Sequence, residues 1–210
     1  AGTTFSTVAS AQSVWTGGVR IGAAQNENYL FVGNGNVIPY KYNAAFTRHG
    51  VYPPTTTMTV ASNATGVLTG EYVYKLTNIN SASVESDVGP ATATFTAASA
   101  TIRVSAIPTF ALSFGINTRR IYRTVTSGTA FKLLATIADN STTTYDDSTA
   151  DGSLGAAAPT DQGVPPKYTS IVYHQGRLFM NDTANPNYIW YTESFNPYVV
   201  KVNNFQRVGD

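Results

Sequence analysis

The stretch Glu71-Tyr72-Val73-Tyr74-Lys75-Leu76-Thr77-Asn78 decides the fold class. Tyr72, Tyr74 and Leu76 alternate with Val73, Lys75 and Thr77. A period of two places one set of side chains on a core and the other toward water, which is the pattern of a strand. Ile102 and Val104 alternate in the same way with Thr101, Arg103 and Ser105, so Ile102 is expected inside and Arg103 outside. In Phe131–Ile137, the residues Phe131, Leu133, Ala135 and Ile137 are expected to share one face. Strands are expected at 57–61, 71–78, 91–96, 101–105, 119–125, 131–137 and 143–146, with a turn at 126–129. Seven short strands in about 100 residues is the size and count of an immunoglobulin-like sandwich. The chain has no cysteine, so the Cys…Trp…Cys spacing of antibody domains is excluded.

This segment is bounded by Pro53-Pro54 and Pro165-Pro166. Proline fixes φ and biases the residue before it to extended backbone, so each pair reads as a stiff connector. Three units follow: 1–54 as an N-terminal hairpin part of a body, 55–163 as the sandwich, and 164–210 as the C-terminal part of the same body. In the first flank, strands at 29–32 and 37–42 enclose Gly33-Asn34-Gly35-Asn36, and Asn-Gly tolerates the positive φ of a tight hairpin turn. In the second, strands at 170–174 and 177–181 enclose Gln175-Gly176, and a strand at 188–193 follows the turn at Asn185-Pro186-Asn187. The flanks together offer five or six strands, which is one sheet or one to two propeller blades. A domain whose ends lie close together can be inserted into a host sheet without tearing it. The fold class expected is therefore all-β: a sandwich inserted in an antiparallel sheet body.

Composition agrees. Charged residues are 12% of the 210, hydrophobic residues 42%, and the formal net charge is +1. Disorder needs low hydrophobicity and high net charge, and a phosphate backbone needs a basic surface, so neither disorder nor nucleic-acid specificity is expected. No apolar run approaches the roughly 18 residues of a spanning helix, so no membrane insertion is expected. Residues 1–20 carry neither the charged nor the apolar region of a signal peptide.

Three stretches resemble known proteins. Gly70-Glu-Tyr-Val-Tyr-Lys-Leu-Thr77, Arg120-Ile-Tyr-Arg-Thr124, Phe131-Lys-Leu-Leu-Ala-Thr-Ile137 and Thr143-Thr-Tyr-Asp-Asp147 together resemble a fibronectin type III-like domain of the version common in bacteriophage structural proteins. His174-Gln-Gly-Arg-Leu-Phe179, Asn185-Pro-Asn187, Ile189-Trp-Tyr-Thr-Glu-Ser194 and Asn196-Pro197 resemble a blade of the β-propeller-type phage tail proteins. Tyr29-Leu-Phe-Val-Gly-Asn-Gly-Asn36 with Tyr40-Lys-Tyr42 is similar to the preceding blade. Proteins of that kind are usually several times longer. The resemblance implies a virion protein at the tail nozzle, hub or adaptor. Its partners would be copies of itself in a ring or tube and other virion proteins, and its location the phage particle.

Chemical motifs are few. Gly33-Asn-Gly-Asn-Val-Ile38 lacks the third glycine and the helix of a dinucleotide site and reads as a turn. Asp147-Ser-Thr-Ala-Asp151-Gly152 opens like a calcium loop, but its twelfth position is Ala158 where a bidentate Glu is needed. His49 and His174, the two histidines, read as solvated or turn residues. Arg119 and Arg123 flank Ile121 on one strand face and Arg120 joins Tyr122 on the other; solvated edges or pairs with Asp146, Asp147 or Glu71 are expected. No Gly-x-Ser-x-Gly elbow exists. Asn63-Ala-Thr65, Asn140-Ser-Thr142 and Asn181-Asp-Thr183 match the glycosylation acceptor, which matters in a secreted eukaryotic chain. No catalytic residue, cofactor or metal site is expected, so the chain reads as a non-enzyme. Aromatic residues crowd the C-terminal flank. Trp190, Tyr191, Phe195 and Tyr198 are the candidate interface, because Tyr and Trp suit surfaces where one end is apolar and the other wet. Two alternatives remain: a carbohydrate-binding or adhesin-like module built on those aromatics, and a hydrolase with paired carboxylates.

Overall fold

The computed structural model describes residues 20–26 and 29–209, so most of the stretch read for a leader lies outside the described residues. The fold is all-β. Strands β1 (Gly22–Asn26), β2 (Tyr29–Gly33), β3 (Tyr40–Asn43) and β4 (Ala45–Arg48) form a four-stranded antiparallel meander. Then come β5 (Thr59–Tyr72), β6 (Tyr74–Asn80), β7 (Phe95–Ser105), β8 (Ile116–Thr124), β9 (Phe131–Ile137) and β10 (Tyr145–Asp147). The remaining strands are β11 (Gln162–Gly163), β12 (Ile171–His174), β13 (Arg177–Asn181), β14 (Tyr188–Tyr191), β15 (Val200–Lys201) and β16 (Phe205–Arg207).

The central six strands make two three-stranded sheets, ordered β10-β7-β5 and β6-β8-β9. Leu68, Tyr72, Ala100, Ile102 and Val104 of the first meet Tyr74, Leu76, Ile121 and Ile137 of the second in one apolar core. That is a sandwich, with alternating inward residues from both sheets. The stretch 71–78 is not one strand. Tyr72 ends β5 and Tyr74 opens β6, so the chain passes from one sheet to the other at Val73 and both tyrosines stay buried. Candidate strands 91–96 and 101–105 merge: β7 starts at Phe95, while 91–94 runs beside β6, with the Thr92 N–H donating to the Tyr74 carbonyl at 2.9 Å. The expected single face of β9 is also corrected. A register shift opposite Ile121/Tyr122 turns Leu134 and Ile137 onto the core, while Phe131 carries the Lys75 amine on its ring, 4.6 Å from its centroid.

The flanks hold two four-stranded sheets, the larger of the arrangements expected. The second is the antiparallel meander β12-β13-β14-β16. Its first hairpin turns through Gln175 and Gly176, both at positive φ (44° and 80°), the mark of a type I′ turn. Among the described residues the flanks thus contribute eight strands to two four-stranded sheets, against the five or six expected.

β1 and β2 lie against β12. Gly22 permits this approach, since a Cβ there would stand 2.6 Å from the Thr169 carbonyl oxygen. Gly50 touches Pro165, so the two connectors of the sandwich run side by side. β11, where the chain leaves the sandwich, pairs with β15 in the C-terminal flank. A second apolar cluster fastens the modules: Val84, Phe110, Phe114 and Ile116 pack with Val51, Tyr198 and Val199. The Arg48 guanidinium caps it, 3.4 Å from the Phe114 ring centroid.

Candidate functional site

Strand alternation assigns each flanking sheet an inner and an outer face. On the N-terminal sheet, Phe31 and Lys41 point inward with Tyr29, and the ring centroids of Phe31 and Tyr29 stand 6.4 Å and 5.5 Å from that of Tyr198. On the C-terminal sheet Leu178, Met180 and Trp190 point inward, and Met180 clusters with Tyr168, Val200, Ile171 and Trp190. Between the sheets sits His49, fully buried. Its Nε2 lies 2.9 Å from the Pro197 carbonyl and must donate to it, which leaves Nδ1 to accept from the Tyr168 hydroxyl at 3.3 Å. Burial, helped by the nearby Lys41 charge, pushes the His49 pKa down to about 3. His49 is therefore a neutral structural residue of the seam and not a solvated one. His174 is exposed at the end of β12.

Where the seam reaches the surface it opens into a cleft of about 130 Å³ lined by Asn26, Tyr29, Tyr173, Phe195, Pro197 and Tyr198. Tyr29 and Tyr198 meet edge to face at 84°. Phe195 is 83% exposed and has φ 55°. A turn position with positive φ normally takes Gly or Asn, and a bulky residue there costs about 1–3 kcal/mol. The conformation is held from two sides. The Phe195 N–H donates to the Gly176 carbonyl at 2.7 Å, and a Cβ on Gly176 would stand 3.0 Å from the Phe195 ring. A Cβ at 176 would press on the ring, and Gly176 itself sits at φ 80°.

The four candidate interface residues separate. Phe195 and Tyr198 meet at the cleft. Trp190 packs inward and its Nε1 donates to Asp182 Oδ2 at 3.2 Å. Tyr191 points to the outer face beside Phe179, with the Arg177 guanidinium 5.3 Å from its ring centroid. Asn26 and Tyr29 carried no local sequence signal for the cleft, because their neighbours there lie far along the chain.

The outer faces are both apolar and aromatic. On the C-terminal sheet Val172, Phe179, Ile189 and Tyr191 share that face, Val172 is 56% exposed, and a shallow groove of about 240 Å³ runs past them. On the N-terminal sheet Leu30, Tyr40, Tyr42 and Phe46 share it; Leu30 is 39% exposed, and Tyr42 and Phe46 rings lie 4.8 Å apart. Neither set includes a carboxylate.

The charged candidates serve the sandwich. Arg119 and Arg123 are buried rather than at solvated edges, and of the expected pairs Arg123 makes the one with Asp147. Arg123 joins Asp147 at 2.6 Å and Asp151 at 2.7 Å, and Asp147 also accepts from the Tyr74 hydroxyl at 2.8 Å. The two aspartates that open like a calcium loop are thus ligands of a guanidinium. Arg119 bonds Asp139 and the Pro108 carbonyl, and Arg120 pairs with Glu85. Among the described residues no three His, Asp or Glu side chains gather to hold a metal ion, and no helix is long and apolar enough to cross a membrane. No protein-family model and no curated protein matches the chain.

Proposed function

We propose that the chain is a structural component of a bacteriophage virion, in the tail at a nozzle, hub or adaptor, acting by subunit packing. The observation that carries this reading is the pair of part-exposed apolar faces, the first of them open around Leu30, Tyr42 and Phe46 and bounded by Arg48 at the sandwich junction. Two four-stranded meanders pack through their inner faces, and each presents a second aromatic face on the outside. In propeller-type proteins every sheet is covered on both faces by its neighbours, so an exposed pair of such faces is suited to further sheets. The outer sets hold no carboxylate, and their cations are engaged: Arg48 on Phe114, Arg177 on Tyr191 and the Thr192 carbonyl. Depletion of free charge is what interface cores show. The two faces differ, so copies joined through them meet head to tail and close into a ring or run on as a tube. The sandwich, fastened by its apolar junction, projects from that body.

Sedimentation velocity of the purified chain tests this. Mass-action growth beyond the monomer supports the proposal, and a strict monomer at high concentration contradicts it.

A further inference from the structure

We infer that the edge of β5, over residues 59–68, accepts an extended, uncharged segment of a neighbouring virion protein as one more strand of the sandwich. This rests on the assembly reading and uses neither outer face.

The two sheets of the sandwich have four edges, and three are closed or cut short. Along β6 the N–H groups of Ser86, Gly89 and Thr92 donate to the carbonyls of Asn78, Leu76 and Tyr74 at 2.9, 2.8 and 2.9 Å. The Tyr74 and Asn78 N–H groups donate in return to the Thr92 and Ser86 hydroxyls at 3.0 Å. Along β9 the Leu133 N–H donates to the Ala156 carbonyl at 2.8 Å, and the Ala158 N–H to the Phe131 carbonyl at 3.0 Å. β10 is three residues long, and its Asp146 is bound by Arg103. The fourth edge is β5, with 14 residues. The β8–β9 turn covers its last part, where the Ser127 N–H meets the Glu71 carbonyl at 2.9 Å and the Thr126 hydroxyl meets the Thr69 carbonyl at 3.2 Å. Among the described residues, the backbone of 59–68 bonds to β7 alone. An antiparallel strand turns every second N–H and C=O away from its partner, so this stretch presents a row of unpaired donors and acceptors. Natural edges are guarded by charge, proline or bulges. Residues 59–68 include no charge and no proline, and seven of the ten are exposed. Main-chain hydrogen bonds give a strand added to such an edge its affinity.

The bulges select the occupant. Register shifts at Ser62/Ala64 and Thr65/Leu68 interrupt β5, and a bulged strand bends. A second copy of β5 would bring its own bends inside a folded sheet and could follow only 59–62. A segment with no sheet of its own can follow the whole edge. The side chains it meets there offer no partner for a charge, so the segment is uncharged.

Amide hydrogen exchange, resolved to single residues, tests this on the purified full chain and on particles sedimented from the native source. In the purified chain every second amide of 59–68 should exchange about tenfold or more faster than those of Ile102 and Val104 in β7. In particles the same amides should slow by about tenfold or more. Uniformly slow amides in the purified chain would show the edge already covered and overturn the proposal. Slowing that grows with the concentration of the purified chain would make the occupant a second copy and overturn it as well. If the chain is present in particles and 59–68 exchanges as in the purified chain, the strand addition falls and the assembly reading stands. If the chain is absent from particles, both fall.

Discussion

The imidazole of His49 donates to the carbonyl of Pro197, 148 positions further along the chain, at 2.9 Å. This bond and the Phe31 and Tyr168 rings around it tie the first flank to the last, so the body is made from two ends of the chain with the sandwich between them. The neutral imidazole makes the seam acid-sensitive. The folded pKa of about 3 lies below the ordinary 6.5. Between those values the unfolded chain binds the extra proton, so stability falls as pH drops below about 6.5. At 1.36 kcal/mol per unit the loss is about 2 kcal/mol by pH 5. Thermal melts of the native chain and His49→Gln from pH 7 to pH 4 check this; the variant should show the shallower decline.

Lys41 has the opposite window. Burial lowers its pKa from 10.5 to about 8. Between pH 8 and 10.5 the unfolded chain holds a proton the folded chain has released, so stability rises with pH there. At neutral pH the burial penalty is about 3 kcal/mol, and the two ring contacts offset about 1–2 of it. Lys41→Met should therefore raise stability by about 1–2 kcal/mol at pH 7. Urea unfolding at pH 7 and pH 10.5 should show that advantage shrinking.

In the sandwich, burial ranks the substitutions. Ile102→Ala leaves a cavity and should cost about 2–5 kcal/mol. Arg103→Ala removes an exposed pair with Asp146 and should cost under about 1 kcal/mol. Arg123→Met strands the buried Asp147 and should cost about 3–5 kcal/mol. Equal unfolding midpoints for Ile102→Ala and Arg103→Ala would contradict the facing of β7.

The period of two made the strands and most of their facing readable in the sequence, and the turn at Gln175-Gly176 was legible from its residues. What escaped was set by distant contacts. Nothing local at Val73 marks the passage between sheets, and Leu134 slips onto the core only through pairing with β8. The pairing of Arg123 with Asp147 was among those expected, but the complete burial of both and the second partner, Asp151, 28 positions away, left no local signal. His49 looked solvated because Tyr168 and Pro197 reach it from 119 and 148 positions away. The cleft was half legible: Phe195 and Tyr198 lie in the crowded C-terminal segment, whereas Tyr29 arrives from the other end of the chain.

A charge introduced on either outer face gives a directional prediction. Phe179→Glu and Tyr42→Glu should each abolish self-association, because either one spoils a head-to-tail contact. Mixed together, they should form one-to-one dimers through the two intact faces and grow no further. Light scattering after size exclusion reads this. Failure of the mixture to dimerise, with each variant folded by circular dichroism, would show that the two faces do not pair.

The assembly role itself is tested most directly by mass spectrometry of particles sedimented from the native source. Peptides of this chain are expected in the particle fraction at the stoichiometry of a structural subunit. Peptides confined to the soluble fraction would contradict it.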